Sequence, residues 1–217
     1  MPLVKHSLLE SGIQLGLWHI TENTEDLISQ LYLNKEEFDT LAGFKTEHRQ
    51  KQWLSYRVLI RNLVKIDTIY KIYYTRNGKP YLINPPRNIS VTHSGDFSAT
   101  LISENKSIKP GIDLERIEKK VISVRSKFLN PIELIRASVH PSPASYTMFW
   151  SAKEAVYKCY DNPEISLRKN IHIHSLRQEN DHWKIKIKVF LKDTVTDFIV
   201  HCEFFGDYIL SYTFSEQ

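Results

Sequence analysis

Three acids and one base at regular spacing offer the first chemistry in this sequence. Asp113 and Glu115, in Gly111-Ile112-Asp113-Leu114-Glu115, stand two residues apart. In an extended segment residues i and i+2 point to the same side, so both carboxylates face one spot. Two hard anionic oxygens there suit Mg²⁺, which takes one or two carboxylates and fills its octahedron with water and phosphate oxygens. An exposed strand end with two solvated acids is the alternative, and an Asp-x-Glu triplet alone does not separate the two. The segment Trp150-Ser151-Ala152-Lys153-Glu154-Ala155-Val156-Tyr157-Lys158 says more. On a helix, Glu154 and Lys158 fall at i and i+4 on one face, with Lys153 beside them. An ordinary surface ion pair worth a few tenths of a kcal/mol fits that spacing. So does a third carboxylate completing a magnesium site, with Lys158 neutralising a metal-bound phosphate.

Thr92-His93-Ser94-Gly95 follows a strand pattern and precedes a turn, clustering hydroxyls and an imidazole at a loop mouth. A structural histidine is the plain alternative. His172-x-His174 has no cysteine or spaced second pair to complete a metal site, and reads as an ordinary strand or loop. The sequence has no G-x-S-x-G nucleophile elbow and no glycine-rich phosphate loop.

The order of these pieces is more specific than any one of them. Gly78-Lys79-Pro80, then Asn88-Ile89-Ser90-x-x-His93-Ser94, then Gly111 to Glu115, then Trp150 to Lys158, resembles the surfactin-type phosphopantetheinyl transferases. The resemblance implies a pseudo-twofold α+β fold of two similar lobes with coenzyme A in the cleft between them. It also implies transfer of the phosphopantetheine arm to a serine hydroxyl of an acyl or peptidyl carrier protein, with release of adenosine 3′,5′-bisphosphate. By position, Asp113, Glu115 and Glu154 match the family's Mg²⁺ ligands. Glu154 also matches the residue that deprotonates the carrier serine, and Lys158 the one that stabilises the leaving phosphate. Lys153 matches a basic position near the pyrophosphate, Lys79 the adenine-side lysine, and Thr92 and His93 the Ser-His pair that contacts coenzyme A phosphates. The family usually reads Asn-x-Ser-His-Ser, whereas here Val91 and Thr92 stand between Ser90 and His93. Basic residues on an early helix hold the 3′-phosphate in that family, which makes Arg49 and Arg57 candidates.

The elements that must carry these residues follow from pattern. Ile13–Trp18 alternates with period two and reads as a strand. Thr24 followed by Glu25 and Asp26 opens a helix with Leu27, Ile28 and Leu31 as its apolar stripe. A longer helix is expected from about 45 to 65, with Trp53, Ile60 and Val64 inward and Arg49, Lys51, Arg57 and Arg61 around a solvated surface. Strands are expected at 72–74, 79–82, 89–94 and 97–102, with turns at Asn77-Gly78 and Gly95-Asp96. Gly111–Glu115 is expected to be a short strand end. Helices return between Val121 and Tyr160, one of them opened by Ser142 as cap and Pro143 as first residue. Trp183–Val189 alternates apolar with lysine, and two strands flank Gly206-Asp207. Blocks of helix and antiparallel strand make this α+β rather than doubly wound. Two lobes are expected, 1–108 and 109–217.

Composition supports a packed globule: 217 residues, 41% hydrophobic and 12% aromatic with 25% charged, which excludes a disordered chain. Residues 1–108 carry 13 Lys and Arg against 11 Asp and Glu, and 109–217 carry 16 against 14, so each half is +2. No segment concentrates the excess, which argues against nucleic-acid binding through many phosphates. A mildly basic chain suits an acidic carrier protein. No apolar run approaches the ~20 residues of a membrane helix, and two cysteines make no disulfide framework. The expectation is a cytoplasmic monomer with internal pseudo-symmetry that uses Mg²⁺ and coenzyme A. The competing readings are another Mg²⁺-dependent phosphotransferase or phosphodiesterase, and a silent coenzyme A or nucleotide binder.

Overall fold

A computed structural model describes residues 2–65, 70–192 and 194–216. The chain forms two compact units. One comprises Met1–Tyr74 with Pro80–Lys106, and the other Thr75–Lys79 with Ser107–Gln217.

The first unit runs β1 (Leu3–Leu8), β2 (Gln14–His19), α1 (Thr24–Ser29), α2 (Lys35–Ala42), α3 (Glu47–Val64), β3 (Ile72–Tyr74), β4 (Pro80–Leu82), β5 (Arg87–Ser94) and β6 (Phe97–Ser103). Its antiparallel sheet has the order β1-β2-β6-β5-β4-β3. The helix expected from Thr24 stops at Ser29, and it is Asn23 that caps it, accepting from Asp26 N at 2.7 Å. A second helix starts beyond it because Asn34 and Glu37 form a reciprocal capping box. β1 is a further strand that the sequence reading did not include. Thr46 caps α3 through Arg49 N. α3 is buried on most of its circumference: Leu54, Leu59, Ile60 and Leu63 pack with Trp18, Ile89 and Ile102 of the sheet, and Trp53 with Leu27 and Leu41. That burial overturns the solvated basic surface expected for this helix at Arg57, which lies inside.

The second unit runs β7 (Ile108–Arg116), α4 (Lys120–Phe128), α5 (Pro131–Ala137), α6 (Pro143–Cys159), β8 (Ile171–Glu179), β9 (His182–Leu191), β10 (Thr194–Phe205) and β11 (Tyr208–Glu216). Its antiparallel sheet has the order β7-β11-β10-β9-β8. Ser142 caps α6 and Pro143 opens it, as the sequence indicates. Ile185, Ile187 and Val189 of β9 are buried, with Lys184, Lys186 and Lys188 between them. Phe128, Ala152, Ala155 and Val156 pack on Ile171, Ile187, Val200 and Ile209 to form the core. The plan of an antiparallel sheet with one long helix across it therefore occurs twice. Among the described residues no helix is long and apolar enough to cross a membrane, and Cys159 and Cys202 are free and buried.

β7 is a nine-residue edge strand rather than a short end, and its contact with α6 fixes the chemistry-bearing residues. A Cβ built on Gly111 would sit 2.0 Å from Ala155 O and 2.7 Å from Cys159 Sγ. Only glycine lets the helix backbone come this close to the strand.

Candidate active site

Gly111, Asp113 and Glu115 alternate onto the same face of β7, the face against α6. On α6, Trp150, Glu154 and Lys158 follow one another at intervals of four, so they form a single stripe. Two contacts show this stripe meeting the strand. Trp150 Nε1 donates to Glu115 Oε1 at 3.0 Å, and Lys158 Nζ donates to Asp113 Oδ1 at 2.8 Å. Lys158 thus pairs across to the strand rather than along the helix with Glu154. This replaces the simple i, i+4 surface pair.

Charge is unbalanced here. The Glu154 carboxyl is pushed up to about 7, chiefly by burial and then by Asp113, against the opposing pull of Lys158. Glu115 is likewise raised to about 7 by burial and by Asp113, despite the Trp150 hydrogen bond and the Lys158 and Lys120 charges. Asp113 meets the Lys158 ammonium directly, and Glu115 and Glu154 feel its charge without an ion pair to it. Hard oxygen donors of this number suit Mg²⁺ in type. Among the described residues, however, no three acidic, histidine or cysteine side chains have the spacing of a formed metal site. Asp113 is held by Lys158 and Glu115 by the indole instead.

Lys153 departs from the role the resemblance implies. Its side chain is fully buried, and the ammonium donates to Phe128 O, Glu133 Oε2 and Leu167 O at 2.7–3.0 Å. All three N–H bonds are committed inside the core, so a pyrophosphate cannot reach them. Lys79 departs too. Its ammonium donates to Lys158 O at 2.6 Å and Cys159 O at 2.9 Å, with Pro110 O at 3.4 Å. It therefore caps the last carbonyls of α6, and burial lowers its pKa to about 8. We expect Lys79→Met to lower stability by about 1 kcal/mol, because those part-buried carbonyls lose their donor. Coenzyme A affinity, measured on the same variant, should change little. A selective loss of affinity at unchanged melting temperature would restore the adenine-side role.

In the first unit, the guanidinium of Arg49 meets the ring of His93 at Nε2 and reaches Gln52 Oε1 at 3.4 Å. His93 pairs in the ladder with Ser98, whose hydroxyl accepts from Ser55 of α3 at 2.9 Å, so His93 lies on the α3 face. Gln52 Nε2 donates to Gly95 O at 3.0 Å, fastening the β5–β6 turn to the helix. Thr92 is buried on the opposite face of β5, since neighbours in a strand alternate. The structure therefore joins Arg49 to His93 and separates Thr92 from it. Arg57 is not at this place. It stacks on Trp53, with its carbon 3.3 Å from the ring centroid, and it pairs with Glu37 at 3.8 Å. Its guanidinium also donates to Trp53 O and to the Tyr56 hydroxyl. Those partners make it a core cation holding α2 to α3, not a 3′-phosphate ligand.

His172 and His174 lie on β8, with His172 near Lys169 O at 3.0 Å and its ring against Phe190. Nothing there gathers metal ligands. Two residues that matter have no role assigned from sequence, Trp150 although it heads the quoted motif. Trp150 could have been found by extending the stripe one turn back from Glu154. Glu133 carries a visible signal in Asn130-x-x-Glu133, a capping box.

Compared with family models, residues 109–213 match the 4′-phosphopantetheinyl transferase superfamily. Asp113, Glu115, Glu154 and Lys158 lie within the match, while Arg49, Arg57, Lys79, Thr92 and His93 lie outside it. A search of curated proteins gave no match.

Proposed function

We propose, from the match of residues 109–213 to the 4′-phosphopantetheinyl transferase superfamily, that the chain moves the phosphopantetheine arm of coenzyme A to a serine hydroxyl of an acyl or peptidyl carrier protein. The observation that carries this is the convergence of Glu154 and Lys158 from α6 on Asp113 and Glu115 of β7. A two-unit chain with the same plan in each half supports the surfactin type.

Asp113, Glu115 and Glu154 are the residues that would hold Mg²⁺, which when bound would supply charge to neutralise the pyrophosphate. Glu154 takes the proton of the incoming serine hydroxyl. Without metal, burial and Asp113 raise that carboxyl to about 7; a bound cation would favour the ionised form that accepts the proton. The serine oxygen bonds to the phosphorus next to pantetheine, and the bond from that phosphorus to the departing adenosine 3′,5′-bisphosphate breaks. Lys158 opposes the negative charge gathering on the departing phosphate. Arg49 of the first unit, whose guanidinium meets His93, offers a positive charge suited to a phosphate. The slight positive charge of the chain, +4, favours encounter with an acidic carrier at low salt.

The test follows adenosine 3′,5′-bisphosphate. Its release should need coenzyme A, apo carrier and Mg²⁺, and stop in chelator. Asp113→Ala should slow it by roughly 10²–10³-fold, the usual size of losing one preorganised electrostatic partner. Coenzyme A cleavage without carrier would make the protein a phosphodiesterase. Full activity in chelator would remove the metal assignment.

A further inference from the structure

Lys153 and Glu133 form an ion pair closed to solvent, with side chains 0% and 2% exposed. The ammonium's three N–H bonds meet Phe128 O, Glu133 Oε2 and Leu167 O. The Glu133 carboxylate also accepts from Asn130 N at 2.8 Å and from Ile173 N at 2.6 Å. One side chain of α6 is thereby tied to the end of α4, the start of α5, the segment before β8 and β8 itself. Stability alone does not call for such a pair. Well-packed apolar residues in place of a buried ion pair are often neutral or stabilising. Apolar packing, though, loses uniqueness of arrangement before it loses stability, whereas three directed hydrogen bonds select one orientation of the helix about its axis. Glu154 is the next residue, about 100° further round.

We propose that the Lys153–Glu133 pair is a positioning device that fixes the rotation of α6, and so aims Trp150, Glu154 and Lys158 at Asp113 and Glu115. This rests on reading that stripe as the transferase site. A rotation of ~10° moves a carboxylate roughly 6 Å from the helix axis by about 1 Å. Misplacement of that size costs about 10²-fold in rate.

Removing either partner alone strands a buried charge, so the test uses the neutral double variant Lys153→Met with Glu133→Gln, in which glutamine keeps a capping-box acceptor. Melting temperature should fall by no more than several degrees, since Phe128 O and Leu167 O lose a donor while no charge is left stranded. KM for coenzyme A should change by no more than about threefold while kcat falls roughly 10²-fold, the split expected when only reacting groups are misplaced. The indole N–H resonance of Trp150, assigned by its loss in Trp150→Phe, should shift, because its acceptor Glu115 lies across the same helix–strand contact. A folded double variant with wild-type kcat and an unmoved resonance overturns the proposal. So does a double variant that melts far below wild type, which would make the pair a stability element. If the wild type shows no transfer at all, the functional reading falls, and the resonance still decides the positioning role because it needs no turnover.

Discussion

Glu154→Gln is expected to slow phosphopantetheinyl transfer by ~10²–10⁴-fold, the span a general base typically contributes. Glutamine keeps the size of the side chain and removes its proton-accepting charge. Melting temperature should hold or rise, because burial and Asp113 already disfavour the ionised form of this carboxyl. Mn²⁺ affinity without coenzyme A should fall, since a hard ligand has gone. Lys158→Ala separates the two roles on the same helix. It should also slow transfer, yet retain or slightly tighten metal binding, because a cation has left three carboxylates. Its metal-free form should melt lower, as buried Asp113 loses the ammonium 2.8 Å away. A solvated ion pair would behave differently: either change would cost a few tenths of a kcal/mol and leave turnover alone. Transfer rates and Mn²⁺ titrations on both variants decide between these outcomes.

Gly111→Ala should be the most disruptive single methyl in the second unit. The new Cβ would lie 2.0 Å from the Ala155 carbonyl oxygen, which is helix backbone and has nowhere to turn. α6 must then move off β7. Overpacking of this kind costs about 1–3 kcal/mol, occasionally more, equivalent to several degrees of melting temperature in a chain of this size. The catalytic effect should be larger than the stability effect. The Trp150–Glu115 and Lys158–Asp113 contacts span the same gap, and a 1 Å displacement costs about 10²-fold. Gly16→Ala is the control. Gly16 lies under α3 in the first unit, but its Cβ would meet only the ends of the Leu59 and Leu63 side chains at 2.7–2.8 Å, which can yield. It should cost less and leave transfer near wild type. Equal melting temperatures and rates for Gly111→Ala and wild type would contradict the close-contact account.

What the sequence makes legible is the local geometry. Asp113 and Glu115 share a face because strands repeat every two residues, and Glu154 and Lys158 share one because helices nearly repeat every four. Ser142-Pro143 likewise marks the start of α6 without any tertiary information. The charged residues that moved inward were not legible in this way. Lys153 and Arg57 look like solvated bases until Glu133, twenty positions earlier, and Glu37, on another helix, come to meet them. A buried charge is explained by its partner, and the partner's position is a property of the fold. Lys79 is a similar case, since its acceptors are the last carbonyls of a helix some eighty residues on. The separation of Thr92 from His93 was in principle readable, because adjacent strand residues point to opposite faces. Aligning on a motif placed them side by side and hid that alternation.

The most direct measurement is the intact mass of an apo carrier protein after incubation with this protein, coenzyme A and Mg²⁺. The account predicts a gain of one phosphopantetheine, located on a serine, absent when chelator is added and strongly slowed with Glu154→Gln. An unmodified carrier beside consumed coenzyme A, or a gain of equal rate with Glu154→Gln, would contradict it.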